Sequence, residues 1–304
     1  MSKIKVVCLV GPTGVGKTST SIKLAKLFNG EIISADSMQI YKDMNIGTAK
    51  ITKEEMNGVE HHLLDIVEPC DSFSVAEWKE LAEKKIRDIT SRGKTPFVVG
   101  GTCLYVDALI NNFQFYNSIR NNETRKKYED ILETDGVEKL YSLLVEKDSE
   151  FAKTVDPKKA RAIIRYLEIL ENENVDLKKK DSETGEFEFL LIGLNREREL
   201  LYKNINSRVD QMFADGLETE VDALIKKYNF NSTMQSAGAI GYREFWNMLD
   251  GLETKEKVIE LIKQHSRNYA KRQLTYMRRM TGLEWMTASD FDKIEARVKK
   301  FLQG

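Results

Sequence analysis

The sequence predicts an α/β fold in which a parallel sheet is covered by helices on both faces and a smaller helical domain is inserted into the chain. Three observations support this prediction. Short apolar segments alternate with helical patterns through the first third of the chain, as in a parallel sheet. A glycine-rich loop joins the first apolar segment to the first helical one. Between about residues 115 and 186 the pattern is helical without strands, which indicates an insertion.

The glycine-rich loop is GPTGVGKT, which matches the phosphate-binding pattern G-x-x-x-x-G-K-[ST]. An apolar strand precedes it and the helical pattern TSTSIKLAKLF follows it, so the sheet is expected to be P-loop NTPase-like. Glycines let backbone N–H groups surround a diphosphate, and the helix N-terminus adds positive potential. Lys17 would neutralise charge, and the Thr18 hydroxyl would bind Mg²⁺. The predicted diphosphate-binding residues are Gly11, Pro12, Thr13, Gly14, Val15, Gly16, Lys17 and Thr18.

Five segments have the apolar character of strands: KVVCLV, GEIISAD, HHLLDIVEP, PFVVGG and, much later, FEFLLIGL. Between the third and fourth lies the helix SVAEWKELAEKKIRDITSRG. Its Ser74 and Glu77 form a capping box, and Gly93 follows its end. After the fifth strand the sequence predicts only helices.

The strandless segment sets the expected domain boundaries. Residues 1–115 and 187–304 are predicted to form a catalytic core that carries C-terminal helices. Residues 116–186 are predicted to form a helical insertion domain.

Composition limits the function classes. The chain has 304 residues, 41% of them hydrophobic and 31% charged, which is typical of a globular protein. With a net charge of −1, a nucleic-acid partner would have to meet a local basic patch. Cys8, Cys70 and Cys103 lack metal-binding spacing, so a reducing, cytoplasmic compartment is expected. We find no signal peptide and no long apolar span, so no membrane association is expected.

The strand ends carry the candidate chemistry, because ligands bind at the carboxyl ends of parallel strands. The second predicted strand ends in ADS, with Asp36 at its centre, and the fourth ends in GGT, with Thr102 last. Asp36 has two interpretations from sequence: it caps the following turn, or it faces the phosphate loop as a magnesium ligand or general base. The two glycines would allow close approach of a ligand, and Thr102 offers a hydroxyl.

The absence of two common motifs narrows the choice of phosphate ligand. A P-loop ATPase usually has an apolar strand that ends in Asp, whereas PFVVGGT ends in glycines and a threonine. The N-K-x-D motif of guanine-specific GTPases is also missing. A small-molecule kinase stays open, because such enzymes often place an acidic residue at the end of the second strand.

Longer motifs carry a family resemblance. ADSMQIYKDMNIGTAK is similar to the signature of the tRNA dimethylallyltransferases, also called tRNA isopentenyltransferases. The segments HHLLDIVEP, FSVAEW, VVGGTCLYVDALI, IGLNRERELLYKNINSRVDQM, AIGYREFW and YAKRQLTYMR resemble later blocks of that family, in its order. The zinc-finger pattern of eukaryotic members is not found, so a bacterial-type member is expected.

The resemblance implies that the phosphate loop binds dimethylallyl diphosphate, with Mg²⁺ as cofactor. The dimethylallyl group would be transferred to N6 of the adenosine immediately 3′ of the anticodon, and diphosphate would leave. Asp36 matches the family's base, which takes the proton from N6. Thr102 and Arg243 match residues that donate hydrogen bonds near the bridging oxygen.

The second substrate implied is the tRNA anticodon stem-loop. Its expected contacts are Asp36, Ser37, Met38, Gln39, Thr102, Arg125, Arg161, Arg165, Lys271, Arg272, Gln273 and Arg278. The last group has support of its own. Lys263, Arg267, Lys271 and Arg278 form one helical stripe with interleaved tyrosines, which suits phosphate contact and base stacking. By itself the same stripe also fits a solvated cationic helix face.

Three other functions stay open from sequence. A kinase of a small metabolite or nucleoside monophosphate would share the phosphate loop and the carboxylate, and a non-catalytic RNA-binding module would share the basic helix. An enzyme that prenylates free adenine nucleotides would share the catalytic residues. The basic helix favours tRNA as substrate, and a monomer is expected.

Overall fold

The computed structural model describes residues 3–113, 122–153, 155–171 and 185–304. The chain divides into two compact units, one formed by Met1–Phe113 and Thr184–Gly304 and the other by Gln114–Glu183. Parts of the predicted domain boundaries, at residues 114–121 and 172–184, lie outside the described residues.

The first unit is built on one parallel sheet. Its strands are Ile4–Val10 (β1), Gly30–Ser34 (β2), His61–His62 (β3), Thr95–Gly100 (β4), Phe187–Asn195 (β5) and Glu284–Thr287 (β6). Their order across the sheet is β3-β2-β4-β1-β5-β6, and every neighbouring pair is parallel. This confirms the α/β fold with a parallel sheet.

The α-helices of the first unit alternate with the strands up to β4, whereas four of them lie between β5 and β6. The helices of this unit are Lys17–Leu27 (α1), Lys53–Met56 (α2), Val75–Ser91 (α3), Cys103–Ile110 (α4), Arg198–Ala214 (α8), Leu217–Tyr228 (α9), Trp246–Leu249 (α10), Lys255–Met277 (α11) and Phe291–Gln303 (α12). The other unit holds Asn122–Lys147 (α5), Ser149–Ala152 (α6) and Ala160–Leu170 (α7). Helix α3 begins at the predicted capping box, where the Ser74 side chain accepts from the N–H of Glu77. Within the described ranges, no helix has the length and apolar character needed to cross a membrane.

The central strand explains the long apolar run near the N-terminus. β1 lies between β4 and β5, and Val6–Val10 are fully buried. A strand covered on both faces needs apolar side chains at every position rather than at alternate ones. Val10 pairs with Gly100 of β4, so the carboxyl ends of β1 and β4 are level, and it pairs with Gly193 of β5, which continues for two more residues.

Two strand predictions need correction. The strand predicted over residues 61–69 is only two residues long, because Leu63 and Asp65 have left-handed backbones with φ of 61° and 54°. After these two residues, the segment forms only an isolated β-bridge, between Tyr41 and Val67. The prediction of helices alone after the fifth strand is also wrong, since the short edge strand β6 pairs with β5.

The second unit is helical in its described residues. Its helices are α5, α6 and α7. Helix α5 is interrupted at Gly136, where φ is 80° and ψ is 176°. The second unit has a hydrophobic core of its own, in which Tyr128, Leu140 and Leu144 pack with Ile163 and Leu167.

Candidate active site

The carboxyl ends of β1, β2 and β4 open onto one cavity of about 1020 Å³. Its wall includes the phosphate loop after β1, the segment that begins with Asp36 after β2, and Gly100–Gly101 at the end of β4. Side chains of α8 and α11 and the 3₁₀ turn Arg243–Phe245 contribute further parts of the wall. The cavity lies where parallel sheets bind their ligands.

The phosphate loop depends on two glycines in the left-handed region. Gly14 has φ of 79° and Gly16 has φ of 107°, a conformation that strains other residues. The Lys17 side chain folds back over the loop, and its Nζ donates to the carbonyl oxygens of Gly11 and Pro12 at 2.9 Å each. The ammonium group is therefore held at the centre of the loop.

Helix α8 supports this loop through two side chains that are not among the predicted site residues. Asn204 Nδ2 donates to the carbonyl of Gly14 at 3.1 Å, and Arg208 Nη1 donates to Thr13 Oγ1 at 3.0 Å. Burial lowers the pKa of Arg208, while the charge of Asp36 opposes this shift. The signal in the sequence is the four-residue spacing, which puts both side chains on one helical face.

Asp36 caps the turn after β2 and also faces the cavity, while its role as base or magnesium ligand stays a prediction. Its Oδ1 accepts from the backbone N–H of Met38 at 2.9 Å and of Gln39 at 3.4 Å, so it caps the turn after β2. The carboxylate also lines the cavity, where its charge acts on Lys17 and Arg208. Its Oδ2 accepts no hydrogen bond from the described part of the chain, which leaves one oxygen for a ligand.

Thr102 joins the ends of β2 and β4. Its Oγ1 accepts from the N–H of Ser37 at 3.0 Å and donates to Ser37 Oγ at 3.3 Å, and its own N–H donates to the carbonyl of Ala35 at 3.1 Å. A Cβ on Gly100 would lie 2.0 Å from the Ala35 oxygen, so only glycine permits this approach. Burial raises the pKa of Tyr269, whose hydroxyl is hydrogen-bonded to Thr102.

Arg243 reaches the cavity from a short turn and is fixed by a buried carboxylate. Its Nε donates to Glu244 Oε1 at 2.9 Å. The same oxygen lies 2.7 Å from His265 Nδ1, and Oε2 accepts from the N–H of Gly241 at 2.9 Å. Arg243 itself remains 37% exposed and lines the cavity, so it can meet a ligand.

The residues that follow Asp36 also line the cavity, as Ser37, Met38 and Gln39 all contribute to its wall. The Gln39 amide is engaged within the protein, because Nε2 donates to the carbonyls of Thr48 and Ala49 at 3.2 Å each. Gln39 therefore holds the loop of residues 45–51, itself part of the wall, and its role in RNA contact stays a prediction.

Glu220 on α9 fixes the start of this loop. Its carboxylate accepts from the N–H groups of Asn45, Ile46 and Gly47 at 2.9, 2.7 and 3.1 Å and from the Tyr242 hydroxyl at 2.6 Å. Glu220→Gln replaces one acceptor oxygen by a donor that faces other donors. We expect the free energy of unfolding to fall by about 1–3 kcal/mol, measured by denaturant titration.

A matched control lies two residues earlier on the same helix. Glu218 forms an exposed ion pair with Lys255, so Glu218→Gln should change the free energy of unfolding by no more than about 0.5 kcal/mol. Equal losses in the two variants would contradict the role given to Glu220.

Helix α11 and Arg278, which directly follows it, present exposed cations and one buried amide. Lys271, Arg272 and Arg278 are exposed, and the Arg272 guanidinium lies 5.8 Å from the centre of the Tyr269 ring. Gln273 is only 4% exposed, and both ends of its amide are bonded to backbone groups of the first unit. Because its amide oxygen and nitrogen each bond a backbone group, we assign Gln273 to the support of the site, and the RNA contact predicted for it stays a prediction.

The N-terminal part of the predicted basic stripe serves the fold. Lys263 pairs with Asp210 at 2.7 Å, and Arg267 Nη1 donates to Asn206 Oδ1 at 2.6 Å. Both partners belong to α8, so these cations fasten α11 to the helix that supports the phosphate loop. The outward-facing charges lie further along the helix.

The three arginines predicted in the insertion lie in the second unit. Arg161 and Arg165 are exposed one turn apart on α7. Arg125 Nε donates to Glu129 at 2.8 Å, and its Nη1 lies 3.8 Å from the buried Glu168, which also lies 3.5 Å from Arg165 Nη1. Glu168 thus holds two of the arginines beside each other, and their contact with RNA stays a prediction.

One cluster outside the cavity has the atoms of a metal site. Glu31, Glu60 and His62 place possible ligand atoms within 4.8 Å of one another. Glu31 is already bound by Arg92 at 2.5 and 2.7 Å and by Lys94 at 2.6 Å, and these hydrogen bonds hold its pKa well below the usual range. Because two cations already neutralise Glu31, we assign this cluster a structural role.

Comparison with known proteins decides the family. The IPP transferase family model matches residues 39–280 of the chain. The chain belongs to this family. The family resemblance drawn from the sequence motifs is therefore confirmed.

Three relatives are each similar to nearly the whole of this chain. The tRNA dimethylallyltransferase of Halalkalibacterium halodurans is 44% identical, covering 99% of this chain and 98% of the relative. The crystal structure of the full-length tRNA isopentenylpyrophosphate transferase from Bacillus halodurans has a TM-score of 0.73 at 44% identity, covering 99% and 96% of the two chains. A eukaryotic dimethylallyltransferase, described as acting on tRNA, has a TM-score of 0.80 at 34% identity over 98% of this chain and 78% of its own.

Proposed function

We propose that this IPP transferase moves a dimethylallyl group from dimethylallyl diphosphate to N6 of the adenosine immediately 3′ of the anticodon in tRNA, with release of diphosphate. The observation that carries this proposal is the meeting of a phosphate loop and the Asp36 carboxylate in one cavity. A diphosphate site facing a carboxylate base suits substitution at an allylic carbon. The relatives' names, tRNA dimethylallyltransferase among them, support the same reaction.

The nucleophile needs a base. The lone pair of the adenine amino group is delocalised into the ring, so N6 gains nucleophilicity as its proton is removed. In the proposed step N6 forms a bond to the allylic carbon while the bond from that carbon to the bridging oxygen breaks. The bonding electrons leave with the diphosphate, and the N6 proton passes to Oδ2 of Asp36.

The leaving group needs electrostatic stabilisation. The N–H groups of Gly14 and of residues 16–18 supply donors, and Lys17, Arg208 and Arg243 supply positive charge. Two N–H groups of the predicted loop are engaged within the protein, because Thr13 donates to Gln273 Oε1 and Val15 donates to the carbonyl of Pro12. Thr102, at the end of the neighbouring strand, donates to Ser37 Oγ in this structure, and its hydroxyl is proposed to turn toward the bridging oxygen when the substrate binds.

Mg²⁺ is proposed as the cofactor, held through the Thr18 hydroxyl. Thr18 lies in the first turn of α1, is exposed and lines the cavity beside Lys17. A hydroxyl oxygen beside a diphosphate suits this hard cation. Phosphate oxygens and water molecules supply most of its other ligands. When bound, Mg²⁺ would neutralise charge on the departing diphosphate.

The tRNA contacts are proposed to surround the cavity entrance and to extend over both units. Around the base we retain Asp36, Ser37, Met38, Gln39 and Thr102. The exposed cations of α11 and the insertion arginines are proposed to meet the RNA backbone. The target base would be turned out of the anticodon loop into the cavity, at a cost of roughly a few kcal/mol.

The protein is further proposed to be a cytoplasmic monomer. All three cysteines are free thiols, with Cys8 and Cys103 buried, which suits a reducing compartment.

The function is tested by incubating the protein with radiolabelled dimethylallyl diphosphate, Mg²⁺ and total tRNA. Label should enter tRNA, and nuclease digestion should return it as N6-dimethylallyladenosine. Parallel reactions with AMP and ATP as acceptors test prenylation of free nucleotides. Label in the nucleotides but not in tRNA would replace the tRNA proposal, and transfer of phosphate from ATP to a small metabolite would replace prenyl transfer.

Lys17 gives the diphosphate site a specific pH dependence. Burial, followed by the charge of Arg208, lowers the pKa of Lys17 to about 8, while Asp36 opposes the shift. Lys17 is therefore charged below this pH and loses its proton above it. The affinity for dimethylallyl diphosphate, measured by calorimetry without tRNA, should fall by up to about tenfold per pH unit above that pKa.

The control is Lys17→Arg, which keeps its charge throughout this range. Its affinity for dimethylallyl diphosphate should be independent of pH between about pH 7 and about pH 9.5, since phosphate groups lose their last proton near pH 6. Parallel pH profiles in the two proteins would assign the titration to another group.

A further inference from the structure

Gln273 is a buried polar residue near the C-terminal end of α11, directly after the exposed cations Lys271 and Arg272. Its Oε1 accepts from the N–H of Thr13 at 3.0 Å, and its Nε2 donates to the carbonyl of Gly101 at 2.9 Å. An unpaired buried amide would be costly, so this pairing fixes the side chain in one orientation. The residue bridges two backbone segments that come from different strands.

The proposed reaction needs these two segments close together, because one binds the diphosphate and the other carries Thr102. Thr13 belongs to the phosphate loop after β1, and Gly101 precedes Thr102 at the end of β4. A Cβ on Gly101 would lie 2.3 Å from Gln273 Nε2, so the glycine makes room for the amide. The Thr13 side chain is hydrogen-bonded separately to Arg208. Side chains of two helices, α8 and α11, therefore fix the start of the loop.

We propose that Gln273 is a positioning residue for prenyl transfer, which holds the phosphate loop at a fixed distance from the Gly101–Thr102 turn. This inference rests on the proposed function for its catalytic consequence. The donors that receive the diphosphate begin one residue after Thr13, so their placement depends on this anchor. The turn on the other side contains Thr102, which accepts a hydrogen bond from Ser37. The turn therefore also positions the segment that contains Asp36.

The chemistry of the bridge requires glutamine. One partner is an N–H group that needs an acceptor, and the other is a carbonyl that needs a donor. Glutamate could accept from Thr13 but would set a carboxylate oxygen against the Gly101 carbonyl. Methionine keeps the volume and loses both hydrogen bonds. Either change releases the loop from the turn while α11 keeps its exposed charges.

The test compares Gln273→Met with the wild-type protein. Because a displacement of about 1 Å can cost about 100-fold in rate, kcat at saturating substrates should fall by about 10- to 100-fold. The affinity for inorganic pyrophosphate with Mg²⁺, measured without tRNA, should also fall, while the dissociation constant for tRNA should stay within about twofold. These measurements are made well below the melting temperature of both proteins.

Lys271→Met is the matched control, because it removes an exposed side chain two residues away on the same helix. It should weaken tRNA binding and leave pyrophosphate affinity unchanged, which is the opposite pattern. Gly101→Ala provides a second route to the same displacement, since the new methyl group pushes against the Gln273 amide. It should reproduce the losses in kcat and pyrophosphate affinity, and it also serves if Gln273→Met does not fold.

A purely structural role would lower the melting temperature of these variants without changing kcat or pyrophosphate affinity, and that result would overturn the proposal. Failure of the proposed function is a separate result. It would appear as no prenyl transfer by the wild-type protein, whereas the pyrophosphate measurements report on the loop independently of tRNA and of the prenyl group.

Discussion

Replacing Asp36 with alanine is expected to lower the rate of prenyl transfer by about two to four orders of magnitude, the usual contribution of a positioned general base. The carboxylate lines the cavity, and its Oδ2 is the oxygen proposed to take the N6 proton. The measurement is single-turnover transfer of radiolabelled dimethylallyl groups to tRNA. Binding of dimethylallyl diphosphate should persist, because the phosphate loop is unchanged.

The turn cap made by Asp36 complicates this variant, because alanine also loses the hydrogen bonds from Met38 and Gln39. Asp36→Asn separates the two roles, since its amide oxygen can still accept those bonds but its amide group cannot take a proton. Both variants should be slow if Asp36 is the base. A near-normal rate for Asp36→Asn, beside a slow Asp36→Ala, would mean that the residue only shapes the turn.

The phosphate loop and the strand ends could be predicted because their information is local. Eight consecutive residues specify the loop, with glycines at the two positions that adopt left-handed backbones. The position of Asp36 and Thr102 at strand ends follows from apolar runs that stop beside them. Parallel strands bring such ends to one edge, so the sequence could place both residues near the loop without any knowledge of packing.

The supports of the site could not be predicted in the same way. Arg208 and Gln273 lie far along the chain from Thr13, and their contact with it depends on how α8 and α11 pack. A helical stripe of charges does not show which neighbours turn inward, which is why Gln273 was grouped with the exposed cations beside it. β6 was missed for a related reason, because a short edge strand has too few apolar positions to stand out.

Removing the exposed cations of α11 is expected to cause the other large effect, a loss of tRNA affinity. Changing Lys271, Arg272 and Arg278 together to alanine removes three positive charges that are proposed to contact RNA phosphates. Each contact releases counterions on binding, so the dependence of log affinity on log salt concentration should become shallower by up to about two or three units. Binding should weaken most at low salt, as measured by filter binding or fluorescence anisotropy with an anticodon stem-loop.

The rate at saturating tRNA should fall far less than the affinity, because Asp36, Thr102 and the phosphate loop are left intact. A matched variant removes the same charge elsewhere, by changing the exposed Lys84, Lys85 and Lys293 to alanine. If both triple variants lose affinity equally, net charge rather than contact accounts for the effect. If neither loses affinity and the salt slope is unchanged, this face of α11 is a solvated surface, and RNA must be held by the other proposed residues around the cavity.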